Sequence, residues 1–146
     1  MQIDTKESGP VEVAETDLIR FPQGLYGFET HRLFALLKDR RNPQNPFMWL
    51  QSAIDRGACF AVLDAASLFR DYCPPVSARA GAALSLGVGE SPRYLVIASL
   101  PQAGGRLFLN LKCPVAVNPA ARLGVQIILE DDRYPMRYYL PAREGV

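Results

Sequence analysis

Apolar residues along this chain fall in short runs, many of period two, each cut off by proline, glycine or a charged turn, a pattern of strands more than of amphipathic helices. Gln2 to Lys6 and Val11 to Ala14 alternate on either side of Glu7-Ser8-Gly9-Pro10 and predict a hairpin that ties the N-terminus into a sheet. Leu18, Ile19 and Phe21 continue as a strand that stops at Pro22, because proline has no N–H to give to a ladder. In the segment Pro22 to Phe28, Gly24 and Gly27 mark consecutive turns, with Gly24 expected at positive φ. Leu33 to Leu37, Phe47 to Leu50, Cys59 to Leu63, Tyr94 to Leu100, Arg106 to Leu111, Val115 to Val117 and Gly124 to Leu129 read as further strands, with Pro114 dividing Arg106 to Leu111 from Val115 to Val117. Lys38 to Pro46 is polar and reads as an exposed loop, the least constrained segment of the chain. One well-defined helix is expected, over Ser77 to Leu86, with Ser77 as its N-cap and Gly87 as its stop, and Asp64 to Phe69 has the composition of a short helix capped by Asp64. The fold class that follows is mostly β: a small closed or partly open antiparallel β-barrel or sandwich with one short helix.

Composition narrows the class of function. The 146 residues and 49% hydrophobic content suit one domain, residues 1–146, with a core of its own. No apolar run reaches the ~20 residues of a spanning helix, and the first ten residues have no signal-peptide pattern, so a cytoplasmic protein without a membrane partner is expected. Sixteen basic and fifteen acidic residues leave a net charge of +1, too little to attract a polyanion through the whole-molecule field. The charge is unevenly spread, −3 up to Asp39 (four basic, seven acidic) and +4 beyond it (twelve basic, eight acidic).

Candidate chemistry is sparse. Cys59, Cys73 and Cys113 form no CxxC pair, and His31 is the only histidine, so neither a disulfide framework nor a zinc site is expected, and no cofactor is implied. Glu130-Asp131-Asp132 is the one acidic cluster. If the strand ending at Leu129 ran on, Glu130 and Asp132 would share a face and could do acid/base work or hold a divalent cation, which is the enzyme reading. Gly87 to Glu90 and Gly104-Gly105 lack the spacing of phosphate-binding loops. The aromatics between Phe21 and Tyr72 could stack bases as in an oligonucleotide-binding barrel, but few basic residues accompany them and core packing is the simpler account.

Three stretches taken together resemble the flagellar assembly factor FliW family: Phe21 to Glu29 (FPQGLYGFE), Asn45 to Ser52 (NPFMWLQS) and the long C-terminal run Asn110 to Leu140. Their order and spacing fit, as do the N-terminal hairpin and the LFRDY segment, Leu68 to Tyr72. The resemblance implies a single small β domain with no catalytic activity. It implies two partners bound by turns, flagellin and the RNA-binding translational repressor CsrA, with no direct contact to nucleic acid. Flagellin would hold the factor until exported, and the released factor would then bind the repressor and relieve its block on flagellin synthesis. Interfaces concentrate aromatic side chains, and on that basis the expected contact residues are Phe47, Gln51, Asp71, Tyr72, Glu130, Asp131 and Tyr134. Two features depart from the family pattern: the near-neutral charge, which favours a local patch over imitation of RNA, and the runs Cys73-Pro74-Pro75 and Tyr138-Tyr139.

Overall fold

The structure, a computed structural model, describes residues 1–99 and 105–140. Strands β1 (Gln2–Thr5) and β2 (Gly9–Glu12) form the N-terminal hairpin, with Ile3 opposite Val11 and Thr5 opposite Gly9. A 3-10 turn at Glu15–Asp17 leads into β3 (Leu18–Arg20), which is followed by β4 (Leu33–Lys38), β5 (Phe47–Ser52) and β6 (Cys59–Asp64). Two short helices come next, α1 (Ala65–Leu68) and α2 (Ala78–Ala83). The remaining strands are β7 (Arg93–Ser99), β8 (Phe108–Asn118), β9 (Leu123–Gln126) and β10 (Tyr138–Tyr139).

Strands β3 to β9 pair in sequence order, and β3 then pairs with β9 to close a seven-stranded barrel, while β10 lies on the free part of β8. Every pairing is antiparallel except that of β3 with β9, so the barrel is mixed where an antiparallel one was expected. Strand alternation sorts the core into layers. Ile19, Phe34, Met48, Leu50, Val62, Leu95, Val115 and Val117 point inward with Phe21 and Leu25. Leu63, Tyr94, Val96, Leu109 and Ala116 face outward into a second cluster with Ala65, Tyr72 and Leu84. The hairpin covers a third patch, where Ile3, Val11 and Val13 meet Leu18 and Ala35. Phe21 and Phe34 are wholly buried and pack edge-to-face at 5.3 Å, each worth about 1.5–3 kcal/mol for burial alone.

Several elements differ from the sequence expectation for identifiable reasons. Pro114 does not divide a strand. Leu95 pairs with Val115 and Ile97 with Asn110, so Val96 alone faces Leu111 to Pro114, and β8 bulges where proline has no ladder bond to lose. The bulge is satisfied from outside the β7–β8 ladder: Asn110 Oδ1 accepts from the N–H groups of Lys112 (3.1 Å) and Cys113 (3.0 Å), Lys112 O from Leu129 N, and Pro114 O from Ile127 N. Among the described residues two short helices form, where the fold class expected one. Asp64 accepts from Ala66 N at 3.2 Å to cap α1, as its composition suggested, and Ser77 caps α2 through Ala80 N at 3.1 Å. Helix α2 stops before Gly87, because Ser85 takes φ +54° and the N–H groups of Ser85 and Leu86 return to the carbonyls of Ala82 and Gly81. The Lys38–Pro46 loop is exposed but ordered by its own side chains. Asp39 accepts from Arg41 N, Asn42 N and Asn45 Nδ2, and these bonds hold its carboxyl below the usual aspartate value. Leu100 and Gly104 lie outside the described residues.

Two glycines are dictated by space. A side chain at Gly24, where φ is +65°, would stand 2.5 Å from Phe28 O, and one at Gly124 would stand 2.4 Å from the Phe21 ring. Gly24→Val is therefore expected to lower stability by at least about 1–3 kcal/mol, and Ser85→Gly to raise it by up to about 1 kcal/mol, because the ~1–2 kcal/mol of left-handed strain relieved exceeds the ~0.5–1 kcal/mol of backbone entropy that glycine adds. Urea titrations of both variants check this. An unchanged midpoint for Gly24→Val, or a lower one for Ser85→Gly, contradicts it.

Candidate functional site

The chain leaving β6 is pinned to the outer face of the barrel. Asp64 caps α1 and also pairs with Arg93 of β7 at 2.8 Å, which fixes where the helix begins. After α1, the segment Phe69 to Pro74 is held by two tyrosine hydroxyls. Tyr72 OH donates to Leu111 O at 2.8 Å, in the β8 bulge, and Tyr94 OH donates to Pro74 O at 2.7 Å. The Tyr72 ring stands edge-on to Tyr94 (5.7 Å) and to Tyr134 (5.3 Å). Burial raises the Tyr72 hydroxyl pKa far above the ordinary value and pushes that of Tyr94 up to about 12, so both remain donors at any physiological pH.

From the other side comes the chain that follows β9. Leu111 N donates to Pro135 O at 3.0 Å, and β10 then lies on β8 with Tyr138 opposite Leu109. Arg133 closes a clip on Asp131, with Nη2 at 2.7 Å and Nε at 2.8 Å from Oδ2, while its guanidinium lies over the Tyr134 ring at 5.6 Å. Between the two segments lies an open groove of ≈ 520 Å³ with aromatic walls (Phe69, Tyr72, Tyr134, Tyr138) and a charged rim (Arg70, Asp71, Arg133). Leu68, at one end of it, is an exposed large apolar side chain.

Of the residues expected to contact partners, Asp71, Tyr72 and Tyr134 line this groove, and Asp131 reaches its rim through Arg133. Glu130 is exposed beside them. Phe47 is half-buried against the outer cluster and does not line the groove. Gln51 is wholly buried: its Oε1 accepts from Lys6 N at 2.9 Å and its Nε2 donates to Asp55 O and Arg56 O, so it staples the hairpin loop to the β5–β6 turn and has no surface to offer. Phe69, Arg70, Arg133 and Tyr138 also line the groove and are not among the expected contacts; Phe69 and Arg70 directly precede Asp71 and Tyr72 in the LFRDY segment, which is the signal for those two. Glu130 and Asp132 do not share a strand face, because β9 ends at Gln126 and the chain turns at Asp132. Among the described residues no three His, Cys, Asp or Glu side chains converge to hold a metal. Burial, with Glu7 nearby, pushes the Cys59 thiol up to about 11, which makes it a poor nucleophile.

The FliW protein family model matches residues 2–140. The chain belongs to the FliW family. It is 34% identical over 138 residues to the flagellar assembly factor FliW of Syntrophus aciditrophicus, covering 94% of this chain and 86% of that protein. To the FliW of Natranaerobius thermophilus it is 33% identical over 146 residues, covering 99% and 95%. It also superposes on a crystal structure of the flagellar assembly factor FliW with a TM-score of 0.86, 28% identity and 99% coverage of each chain. The groove thus lies in a member of the FliW family, whose relatives named above are flagellar assembly factors by name.

The Asp131 clip has a defined pH dependence. Hydrogen bonds from Arg133, side chain first and then backbone, hold the Asp131 carboxyl below its ordinary value of 3.8. A carboxyl depressed on folding contributes in full above the unfolded pKa and loses that contribution as the pH falls through the lower folded value. The clip is therefore expected to be constant from pH 5 to 8 and to open only below about pH 4. A carboxyl-carbon NMR titration should place the Asp131 midpoint below 3.8 and move it upward in Arg133→Ala. An identical midpoint in both proteins would mean that the clip does not form in solution.

Proposed function

We propose that this protein is a cytoplasmic partner switch in flagellar assembly, binding flagellin and, once released from it, the translational repressor CsrA. The observation that carries this reading is the groove between the LFRDY segment and the C-terminal strand, in a chain that belongs to the FliW family over residues 2–140. Its aromatic walls are rigid because Tyr72 is tied by its hydroxyl and by its ring neighbours. Rigid aromatic surface with a charged rim suits a protein partner, since little side-chain freedom is lost on binding. The repressor engages this groove, with Asp71, Tyr134 and the largely buried Tyr72 at its centre and Glu130 and Asp131 beside its charged rim. With a net charge of +1 the protein acts through that local patch and not as a mimic of RNA.

Co-purification from the native cytosol tests the switch: flagellin should be recovered when its export is blocked, and the repressor when export proceeds. Recovery of neither sinks the reading. Glu130→Lys combined with Asp131→Lys is expected to weaken the repressor complex by ≥ 2 kcal/mol, about thirtyfold, while shifting stability by about 0.5 kcal/mol or less. Arg133→Ala, which opens the clip without reversing charge, controls for a purely structural effect. Calorimetric titration of both partners against each variant, with circular dichroism for folding, reads the outcome. Repressor affinity within twofold of wild type would remove the acidic rim from the interface.

A further inference from the structure

Strand β10 is the last strand of the sheet, and among the described residues nothing pairs with its outer side. The face of this margin that looks outward from the barrel is packed, with Leu109 in the outer core cluster and Tyr138 against it. The opposite face carries a row of four side chains in contact. The Arg137 guanidinium lies 5.1 Å from the centre of the Phe108 ring, Phe108 and Tyr139 are 5.7 Å apart, and the Arg106 guanidinium lies 5.1 Å from the centre of the Tyr139 ring. Register explains the row: Tyr139 pairs with Phe108, and Arg137 and Arg106 sit two residues from each on the same face. Neither arginine has a carboxylate partner among the described residues, and the one hydrogen bond found for the pair runs from Arg106 Nη2 to Leu140 O at 3.1 Å. A guanidinium stacked on a ring keeps its N–H edge free and its side chain ordered, the state that pairs bidentately with a carboxylate at least entropic cost.

We propose that this margin is a docking edge for an extended acidic segment of a partner protein, which adds as a strand beside β10 and places its carboxylates on Arg106 and Arg137. The occupant is a polypeptide because the open edge offers backbone N–H and C=O groups that only another strand matches in register. It is acidic because, among the described residues, the charged groups in this row are the two guanidiniums, and the same charges repel a second copy of this edge. Two arginines are too few for the continuous basic groove that a single-stranded nucleic acid requires. The surface lies on the other face of β10 from Tyr138 and the groove, and it does not depend on the assignment of flagellin or the repressor.

The test uses the full chain and a fluorescein-labelled nonapeptide alternating Glu and Val, whose glutamates share one face when extended. Fluorescence anisotropy at low salt should show this peptide binding at least tenfold more tightly than its Gln–Val counterpart. The double variant R106E/R137E should lose the difference; should that variant fail to fold, R106Q/R137Q keeps side-chain size and must show the same loss. Methylating alternate backbone nitrogens of the peptide, which leaves its charge intact, should abolish binding if a strand is added. Equal binding of the glutamine peptide, unchanged binding by a folded double variant, or full binding of the methylated peptide each overturns the proposal. So does tighter binding of a single-stranded RNA oligomer that R106Q/R137Q abolishes.

Discussion

The whole structure depends on one closure, the parallel contact between β3 and β9. Arg20 N donates to Arg122 O at 2.9 Å, Arg20 lies in register with Leu123, and the ring of Phe21 covers Gly124 at a distance no side chain could share. Arg122 takes φ +55° to bring its carbonyl to this bond, and its guanidinium donates to Glu15 O at 2.7 Å. A non-glycine residue in this region is held only where its surroundings over-determine it, and here a backbone bond, a side-chain bond and a buried ring all do so. Closing the sheet removes its edges around the interior and converts the inward-facing side chains into a filled core.

Closure also creates the surfaces on which function is built. A strand in a barrel this small still has an outer face, and where that face is apolar something must cover it. The hairpin covers Leu18 and Ala35 on one side, and α1, α2 and the C-terminal chain cover Leu63, Val96 and Ala116 on another. The groove lies between two of these covering pieces, and both are anchored at the β8 bulge: Leu111 O takes the Tyr72 hydroxyl while Leu111 N reaches Pro135 O. The irregularity that Pro114 demands is thus also what fixes the geometry of the site, because a regular ladder would have spent those backbone groups on a neighbouring strand.

The site is suited to recognition by its rigidity. Its polar atoms are already satisfied within the molecule, as in the Arg133–Asp131 clip and the tyrosine hydroxyls, and among the described residues no buried side-chain nitrogen or oxygen lacks a partner. A surface so arranged would reorganise little on binding a partner. The chain belongs to the FliW family over residues 2–140, and its groove is aromatic and ordered, the features on which the proposed partner binding rests.

Local chemistry in the sequence was enough to determine most of the strands, the hairpin, the caps at Asp64 and Ser77 and the positive φ at Gly24. Each depends on residues a few positions apart, whose preferences need no distant partner. The motifs around Phe21, Asn45 and Asn110 pointed to the family, and the structure brings the expected contacts Asp71, Tyr72 and Tyr134 to one groove. Tertiary structure alone decided the rest. It showed that β3 runs parallel to β9, which no local pattern encodes because the partners are about a hundred residues apart. It carried β8 through Pro114, since a proline tolerates a strand only where the neighbour makes no demand on its nitrogen. It also withdrew Gln51 from the surface and ended β9 before Glu130, because burial and register are properties of what packs against a residue and not of the residue itself.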